Sequence, residues 1–259
     1  MADSGTGPAV HRPDGLRVSA LGSFEELLRD SDVVDALRAV SPSLYDTASE
    51  FWRACTSGHL PARTKELVLL AMHATATALN VDAIRRQIDR ALRAGATEAE
   101  ILDVLITIVA VANHALYTTV PILAEELEAT GIKADLSPLE QGDFQATKGE
   151  FIASRGFWNP DREQLARMMP DYYRALSKMS TEPWKSGALT AKEREFVCIG
   201  IDCTVTHIYE PGLRRHIREA LGYGATGEEI CEIFQLAALL GLEGYVVGAA
   251  VLFGTSEDG

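Results

Sequence analysis

The sequence predicts an all-α fold made by tandem duplication of one helical repeat. Residues 86–104 (RQIDRALRAGATEAEILDV) and 215–233 (RHIREALGYGATGEEICEI) agree at nine of their 19 positions. At the same offset of 129 residues, LPARTKELV (60–68) aligns without a gap with LTAKEREFV (189–197). Apolar residues recur at helical spacing, and no segment alternates apolar and polar residues between turns as a strand would.

The upstream parts of the two repeats are weaker matches but share a pattern. FEELLRDSDVVDALRAVSPSLYDTASEFWRAC and FIASRGFWNPDREQLARMMPDYYRALSKMS each predict short helices with aromatic residues at turn spacing. We therefore expect a flexible tail at 1–15, a first repeat at 16–131, a surface linker at 132–143 and a second repeat at 144–254, followed by a short polar tail.

The helix beginning near residue 83 shows how each repeat is built. Its apolar stripe at i, i+4, i+7 and i+8 consists of Ile84, Ile88, Ala91 and Leu92. Gly95 then ends the helix in a positive-φ conformation, and Thr97 with Glu100 forms a capping box for the next helix. The second repeat has this helix–turn–helix joint at Gly224, Thr226 and Glu229.

The composition excludes several classes of partner. The chain has 259 residues, 47% of them hydrophobic, and a net charge of −13, which argues against binding nucleic acid or an anionic membrane surface. The apolar run ILDVLITIVAVANHALYTTV is interrupted by Asp103, Asn113 and His114, so we expect a buried core helix. Four cysteines without a C-x-x-C spacing, and no signal-peptide pattern, predict a cytoplasmic protein with reduced thiols.

The duplicated motif resembles a known family. An R/K-E-hydrophobic helix start followed by H-x-x-x-A-L-x-x-G-A-T-x-x-E-I is similar to the carboxymuconolactone decarboxylase-like family, which includes the alkylhydroperoxidase-D-like proteins. The resemblance covers residues 60–127 and 189–253. It implies an all-helical fold and a homo-oligomer, with tandem chains forming a trimer of pseudo-hexameric symmetry.

The cysteine pattern separates the branches of that family. Peroxidase-type members resemble one another in having a C-x-x-C shortly before the motif histidine. In those members the two cysteines work with an upstream glutamate. Here HIYEPGLRRH stands at that place, and Cys198 and Cys203 are five residues apart. The sequence therefore resembles the decarboxylase-type members, which are lactone-handling lyases, more than the peroxidases.

The duplication serves as an internal control for the site. The polar or reactive positions of the second repeat are Glu195, Asp202, Cys203, His207, Glu210 and His216. Their counterparts in the first repeat are Glu66, His73, Ala74, Ala78, Val81 and Gln87. This asymmetry predicts that the second repeat keeps a working site and that the first is retained for assembly.

Helical spacing predicts that these side chains cluster. Glu195 and Asp202 share one stripe of a helix, and Cys203 and His207, at i and i+4, share the adjacent stripe. We expect Pro211 and Gly212 to end that helix, so that the next one folds back and brings His216 to the same pocket.

We expect His216 to act as a general acid or base because imidazole titrates near neutral pH. Glu195 or Asp202 would orient it, and His207 would be a second acid–base group. Substrate-binding candidates are Tyr209, Glu210 and Arg215, the last with Arg214 and Arg218 as a source of positive charge. Each has a structural alternative: helix packing or capping for the histidines, a salt bridge for Glu195, core packing for Cys203 and the tyrosines.

The preferred function is a lyase or isomerase acting on a small organic acid, lactone or oxo compound by proton transfer next to a carbonyl. The alternatives are a thiol redox protein using Cys203 and a non-catalytic oligomeric binding protein. We expect no cofactor and no metal, because His207, Glu210 and His216 match no standard zinc spacing. His73 and His114 could nevertheless come together in the first repeat.

Overall fold

The computed structural model describes residues 21–133, 136, 138, 139 and 142–254. Within these ranges the chain forms helices and no strand, which confirms the all-α prediction. The predicted tail at 1–15 and the closing residues 255–259 lie outside the described residues.

The two repeats have corresponding helices. The first contains α1 (Phe24–Leu28), α2 (Ser31–Val40), α3 (Pro42–Thr56), α4 (Ala62–Ala74), α5 (Val81–Arg93), α6 (Glu98–Thr107), a 3-10 segment (Ile108–Ala115) and α7 (Leu116–Ala129). The second contains α8 (Gly142–Arg155), α9 (Asp161–Met168), α10 (Pro170–Ser186), α11 (Ala191–Asp202), α12 (Glu210–Gly222), α13 (Gly227–Ala238) and α14 (Leu240–Phe253). The central helices α4 and α5 are matched by α11 and α12 at an offset of 129 residues.

The predicted joints are confirmed. Thr97 and Thr226 each form a capping box with the glutamate three residues on, and the glycines before them, Gly95 and Gly224, have φ angles of 91° and 82°. A third box, which we did not predict, begins α11 at Thr190.

The repeats share one hydrophobic core rather than forming two independent domains. Helix α4 packs on α11, α13 packs on α3 and α4, and α14 packs on α1 and α2. Helix α6 likewise packs on α10, and α7 on α9. Because helices of one repeat cover those of the other, the side chains of both repeats meet in the interior.

Reciprocal contacts relate the two repeats by an approximate twofold axis. The equivalent residues Thr77 and Thr206 contact each other, with 3.4 Å between their Oγ1 atoms. Two buried ion pairs occupy equivalent positions in the two repeats: Lys65 Nζ to Glu232 Oε1 at 2.6 Å, and Arg194 Nη1 to Asp103 Oδ1 at 2.5 Å. Each pair joins one repeat to the other.

The predicted apolar stripe of α5 is only partly correct. Ala91 is buried, but Leu92 is 44% exposed. The buried face of α5 is mainly polar and consists of Ala83, Arg86, Gln87, Arg90 and Ala91. Hydrophobic spacing alone missed this face because the helix covers charged groups of α4 and α14 rather than apolar ones.

Two helical stretches, Glu98–Ala129 and Gly227–Phe253, are long and apolar enough to cross a membrane by length and composition. Only 33% and 22% of their most apolar windows are buried within the chain. The prediction of a buried core helix is therefore wrong for one side of the first stretch, where Leu102, Val109 and Ile122 are exposed.

Candidate active site

A glutamate–histidine pair lies at the centre of the second repeat. The spacing of 21 residues places Glu195 on α11 and His216 on α12, and the two helices pack together. His216 Nδ1 lies 2.5 Å from Glu195 Oε2. Burial alone would lower the pKa of His216, but the thiol of Cys198 and the carboxylate of Glu195 outweigh it and raise this pKa to about 10. These contacts therefore favour the charged form of the ring.

Asp202, the last residue of α11, faces the other side of His216. Its Oδ2 lies 3.9 Å from His216 Nε2 and has no hydrogen-bond partner, although the side chain is 2% exposed. Burial raises the pKa of Asp202 to about 7, with a further contribution from the charge of Glu195, while His216 opposes the shift. Gly212 makes this approach possible, because a Cβ there would collide with Asp202 Oδ2.

Two more histidines contact the same aspartate. His114 belongs to the 3-10 segment of the first repeat, and its Nδ1 lies 2.8 Å from His207 Nε2. Asp202 Oδ1 lies 3.6 Å from the first of these nitrogens and 3.7 Å from the second. Burial, together with the charges of His207 and His216, lowers the pKa of His114 to about 3, and burial lowers that of His207. Burial therefore favours the uncharged form of both rings, and the three side chains form a set that could hold a metal ion.

His114, Asp202 and His216 border a cavity of about 270 Å³, which is lined by residues of both repeats. Its walls combine aromatic rings with three arginines. Arg155 lies over the ring of Trp184 at 4.2 Å, Arg162 over Phe151 at 4.0 Å and Arg215 over Phe157 at 4.0 Å. The cavity therefore offers positive charge to an anionic ligand, in a protein whose net charge is negative.

Of the predicted site residues, Glu195, Asp202, His207 and His216 come together, and Tyr209 and Arg215 line the cavity. Tyr209 stacks on His114 with 3.8 Å between ring centroids. The arrangement along the chain differs from our prediction, because α11 ends at Asp202 and His207 lies in the turn that follows it. Pro211 and Gly212 do not end α11. They belong to the first turn of α12.

Three predicted residues are placed elsewhere. Cys203 does not line the cavity, since its thiol donates to the carbonyl of Gly200 at 3.4 Å and burial raises its pKa to about 12. Glu210 is exposed and pairs with Arg214 at 2.6 Å. Arg218 is also exposed. None of these three side chains lines the cavity, so the structure does not support the prediction that they serve the site.

Cys198, Arg155 and Arg162 were not predicted as site residues, and His114 was expected beside His73 rather than beside His207 and Asp202. Cys198 lines the cavity, and its Sγ lies within 4.8 Å of ligand atoms of Glu195 and His216, so that this trio too could hold a metal ion. The repeat alignment could have indicated it, because its counterpart is the apolar Leu69.

The first repeat uses the equivalent positions for structure. Gln87, the counterpart of His216, hydrogen bonds to Glu66, the counterpart of Glu195. Arg90 pairs with the same glutamate at 3.1 Å, so the carboxylate is fully engaged. His73 lies 3.5 Å from Glu243 and not near His114, contrary to one of our expectations. This half of the chain contains a closed ion-pair network where the second half has an open cavity.

Comparison with known proteins agrees with this architecture. The sequence profile described as "Carboxymuconolactone decarboxylase family" matches residues 42–122 and 170–251, one match in each repeat and together more than half of the chain. Among solved structures, the chain is similar to a proposed gamma-carboxymuconolactone decarboxylase subunit from Burkholderia xenovorans. The TM-score is 0.78 and the sequence identity 35%, over 93% of this chain and 96% of that one. No curated protein matches. A tandem all-α chain with the family profile in both of its repeats belongs to the carboxymuconolactone decarboxylase family.

Proposed function

We propose that the second-repeat cavity is the active site of a lyase that removes CO₂ from a small carboxylic acid carrying a nearby carbonyl or lactone. Membership of the family and similarity to a proposed decarboxylase subunit support a reaction of this class. The observation that carries the proposal is His216, which pairs with Glu195 and lies at the wall of a cavity that also presents arginines.

The arginines are suited to hold an anionic substrate. Arg155, Arg162 and Arg215 all line the cavity, and guanidinium groups bind carboxylates through two parallel hydrogen bonds. The aromatic rings beneath them fix their positions and exclude water, so that the charge acts in a medium of low polarity.

In the proposed reaction, His216 supplies the proton. When a carboxylate β to a carbonyl leaves as CO₂, the electrons of the broken C–C bond pass into an enolate. The Nε2–H of His216 can protonate the enolate carbon, which leaves a neutral imidazole with its Nδ1–H still bonded to Glu195. Solvent returns the proton for the next turnover. Glu195 orients the ring and favours its charged form, so it is a positioning residue here.

A thiol function is the second candidate, and Cys198 rather than Cys203 supports it. Cys198 is the cysteine that lies beside His216 and Glu195. A Cys–His–Glu arrangement is suited to nucleophilic attack on a lactone carbonyl. Rapid alkylation of Cys198 by iodoacetamide, together with loss of activity, would favour this candidate over the lyase.

We also propose that the exposed apolar sides of α6, α7 and α14 contact further copies of this chain, in a homo-oligomer that we expect to be a trimer. Side chains such as Ile122, Val251 and Leu252 are at least half exposed in the single chain. Exposed apolar surface of this extent is typical of an interface. Light scattering on the purified protein should give about three times the mass of 28.1 kDa. A monomer, or binding to uncharged lipid vesicles, would contradict the proposal.

The lyase proposal is tested by CO₂ release from a panel of small β-oxo acids and carboxylated lactones, with wild type and His216→Gln in parallel. We expect at least one acid to be decarboxylated by wild type, and the variant to be at least 100-fold slower. The control is Gln87→His, which introduces the same ring at the equivalent position of the first repeat. Equal rates for wild type and His216→Gln on every active substrate would refute the assignment.

A further inference from the structure

Three side chains beside the cavity have the chemistry of a metal site. His114, His207 and Asp202 supply two imidazoles and one carboxylate, the ligand types that bind zinc and other divalent transition metals. They come from three separate segments: the 3-10 segment of the first repeat, the end of α11 and the turn after it.

The distances between the ligand atoms fit one ion. The triangle formed by His114 Nδ1, His207 Nε2 and Asp202 Oδ1 has sides of 2.8, 3.6 and 3.7 Å. Its circumcentre lies about 2.0 Å from each corner, and zinc bonds to imidazole nitrogen and carboxylate oxygen are roughly 2.0–2.2 Å long. An ion placed about 0.6 Å out of this plane would be about 2.1 Å from all three atoms, which leaves its outer side for water or a ligand.

The charges favour a cation at this point. Asp202 is buried, its Oδ2 has no hydrogen-bond partner, and the ring nitrogens of His114 and His207 lie 3.6 and 3.7 Å from its Oδ1. Burying a carboxylate without a counter-charge is costly. The ring of His216 lies 3.9 Å from Oδ2, and it already pairs with Glu195.

The first repeat shows how the equivalent position is satisfied by a protein cation. The counterparts of Asp202, His207 and His114 are His73, Ala78 and Glu243. One potential ligand is therefore missing there, and the guanidinium of Arg86 occupies the position next to Glu243.

The corresponding arginine of the second repeat is engaged elsewhere. Arg215 pairs with Glu219 at 3.0 Å and lies over Phe157. Because it is engaged there, another cation can bind beside Asp202 and the two histidines. Tyr209 also stacks on His114, with 3.8 Å between the ring centroids, and restricts the orientation of that ring.

We propose that His114, His207 and Asp202 bind one divalent transition-metal ion per chain, at a site where His114 and Asp202 also border the cavity. The site needs both repeats, because His114 comes from the first and the other two ligands from the second. The proposal does not rest on the lyase activity, since metal binding is measured without substrate. If both hold, the ion would lie beside the reacting carbonyl and could polarise it.

Cobalt(II) is the probe, because its visible absorption reports direct coordination. Protein dialysed against EDTA and then against metal-free buffer is titrated with CoCl₂ at pH 7, and Zn²⁺ is added as a competitor. We expect absorption bands that saturate at one Co²⁺ per chain and disappear on addition of Zn²⁺. His114→Ala and His207→Ala should each weaken Co²⁺ binding at least 100-fold while retaining the wild-type circular dichroism spectrum.

Two histidines outside the site provide matched controls. His59→Ala, at an exposed position, and His73→Gln, in the first repeat, should bind Co²⁺ as wild type does. Absence of saturable bands in wild type, or equal binding by wild type, His114→Ala and His207→Ala, would overturn the proposal. Metal binding without CO₂ release from any acid would refute the lyase and leave the metal site standing.

Discussion

Removing Asp103 should destabilise the protein by several kcal/mol, because this carboxylate neutralises a buried arginine at the junction of the repeats. Asp103 accepts hydrogen bonds from Nη1 and Nη2 of Arg194 at 2.5 and 2.7 Å, and from the amide of Leu189 at 2.8 Å. The side chains of the pair are 3% and 2% exposed. In Asp103→Ala, water cannot readily replace these contacts.

The magnitude follows from what the substitution leaves behind. Breaking a buried ion pair by deleting one partner costs about 3–5 kcal/mol, and a buried amide without an acceptor adds about 1–3 kcal/mol. We therefore expect a loss of at least about 4 kcal/mol. This is a large part of the roughly 5–15 kcal/mol that stabilises an ordinary domain. The double variant Asp103→Leu/Arg194→Met removes both charges and should recover most of the loss.

The assay is urea unfolding followed by circular dichroism, at one fixed protein concentration because association of chains would change the apparent stability. Glu232→Ala is the matched variant, since Glu232 neutralises Lys65 at the equivalent position, and it should show a similar loss. A cost below about 1 kcal/mol for Asp103→Ala, or a double variant less stable than Asp103→Ala, would refute the electrostatic reasoning.

Two further predictions concern single sites. Burial, with the charge of Arg86, lowers the pKa of His73 from 6.5 to about 4. Over this pH range His73 binds a proton in the unfolded chain but not in the folded chain. About 3 kcal/mol of stability is therefore lost as pH falls from 6.5 to 4. His73→Gln should flatten this part of the urea-unfolding profile, and parallel profiles for the two proteins would contradict the shift. Gly212→Ala should push Asp202 away from His216 and reduce CO₂ release at least tenfold with retained helical content; wild-type activity would show that the close approach is unnecessary.

The fold could be predicted because its determinants are local and occur twice. Capping boxes, the glycines that follow α5 and α12, and helical periodicity are all properties of short segments. The two-fold repetition made each of them more convincing. The sharing of one core could not be predicted this way, since it depends on which helix of one repeat covers which helix of the other.

Only the part of the site that lies on the neighbouring helices α11 and α12 could be predicted from the sequence. Glu195 and His216 lie on packed helices whose motif is visible in the sequence, so their pairing could be predicted. His114 and Arg155 lie 102 and 61 residues from His216 along the chain, and only the tertiary packing brings them to it. Cys203 was misplaced for a local reason: α11 ends at Asp202, so the i, i+4 relation with His207 does not exist.

The central claim is that the second repeat catalyses and the first supports the structure, and the matched pair Glu195→Gln and Glu66→Gln tests it most directly. CO₂ release and urea unfolding are measured on both variants. Glu195→Gln should lose at least 100-fold in kcat/KM. Glu66→Gln should keep the rate per folded molecule and lose about 3 kcal/mol or more of stability, because Arg90 is left without its carboxylate. Equal loss of activity in the two variants, or greater loss in Glu66→Gln, would contradict the division of roles between the repeats.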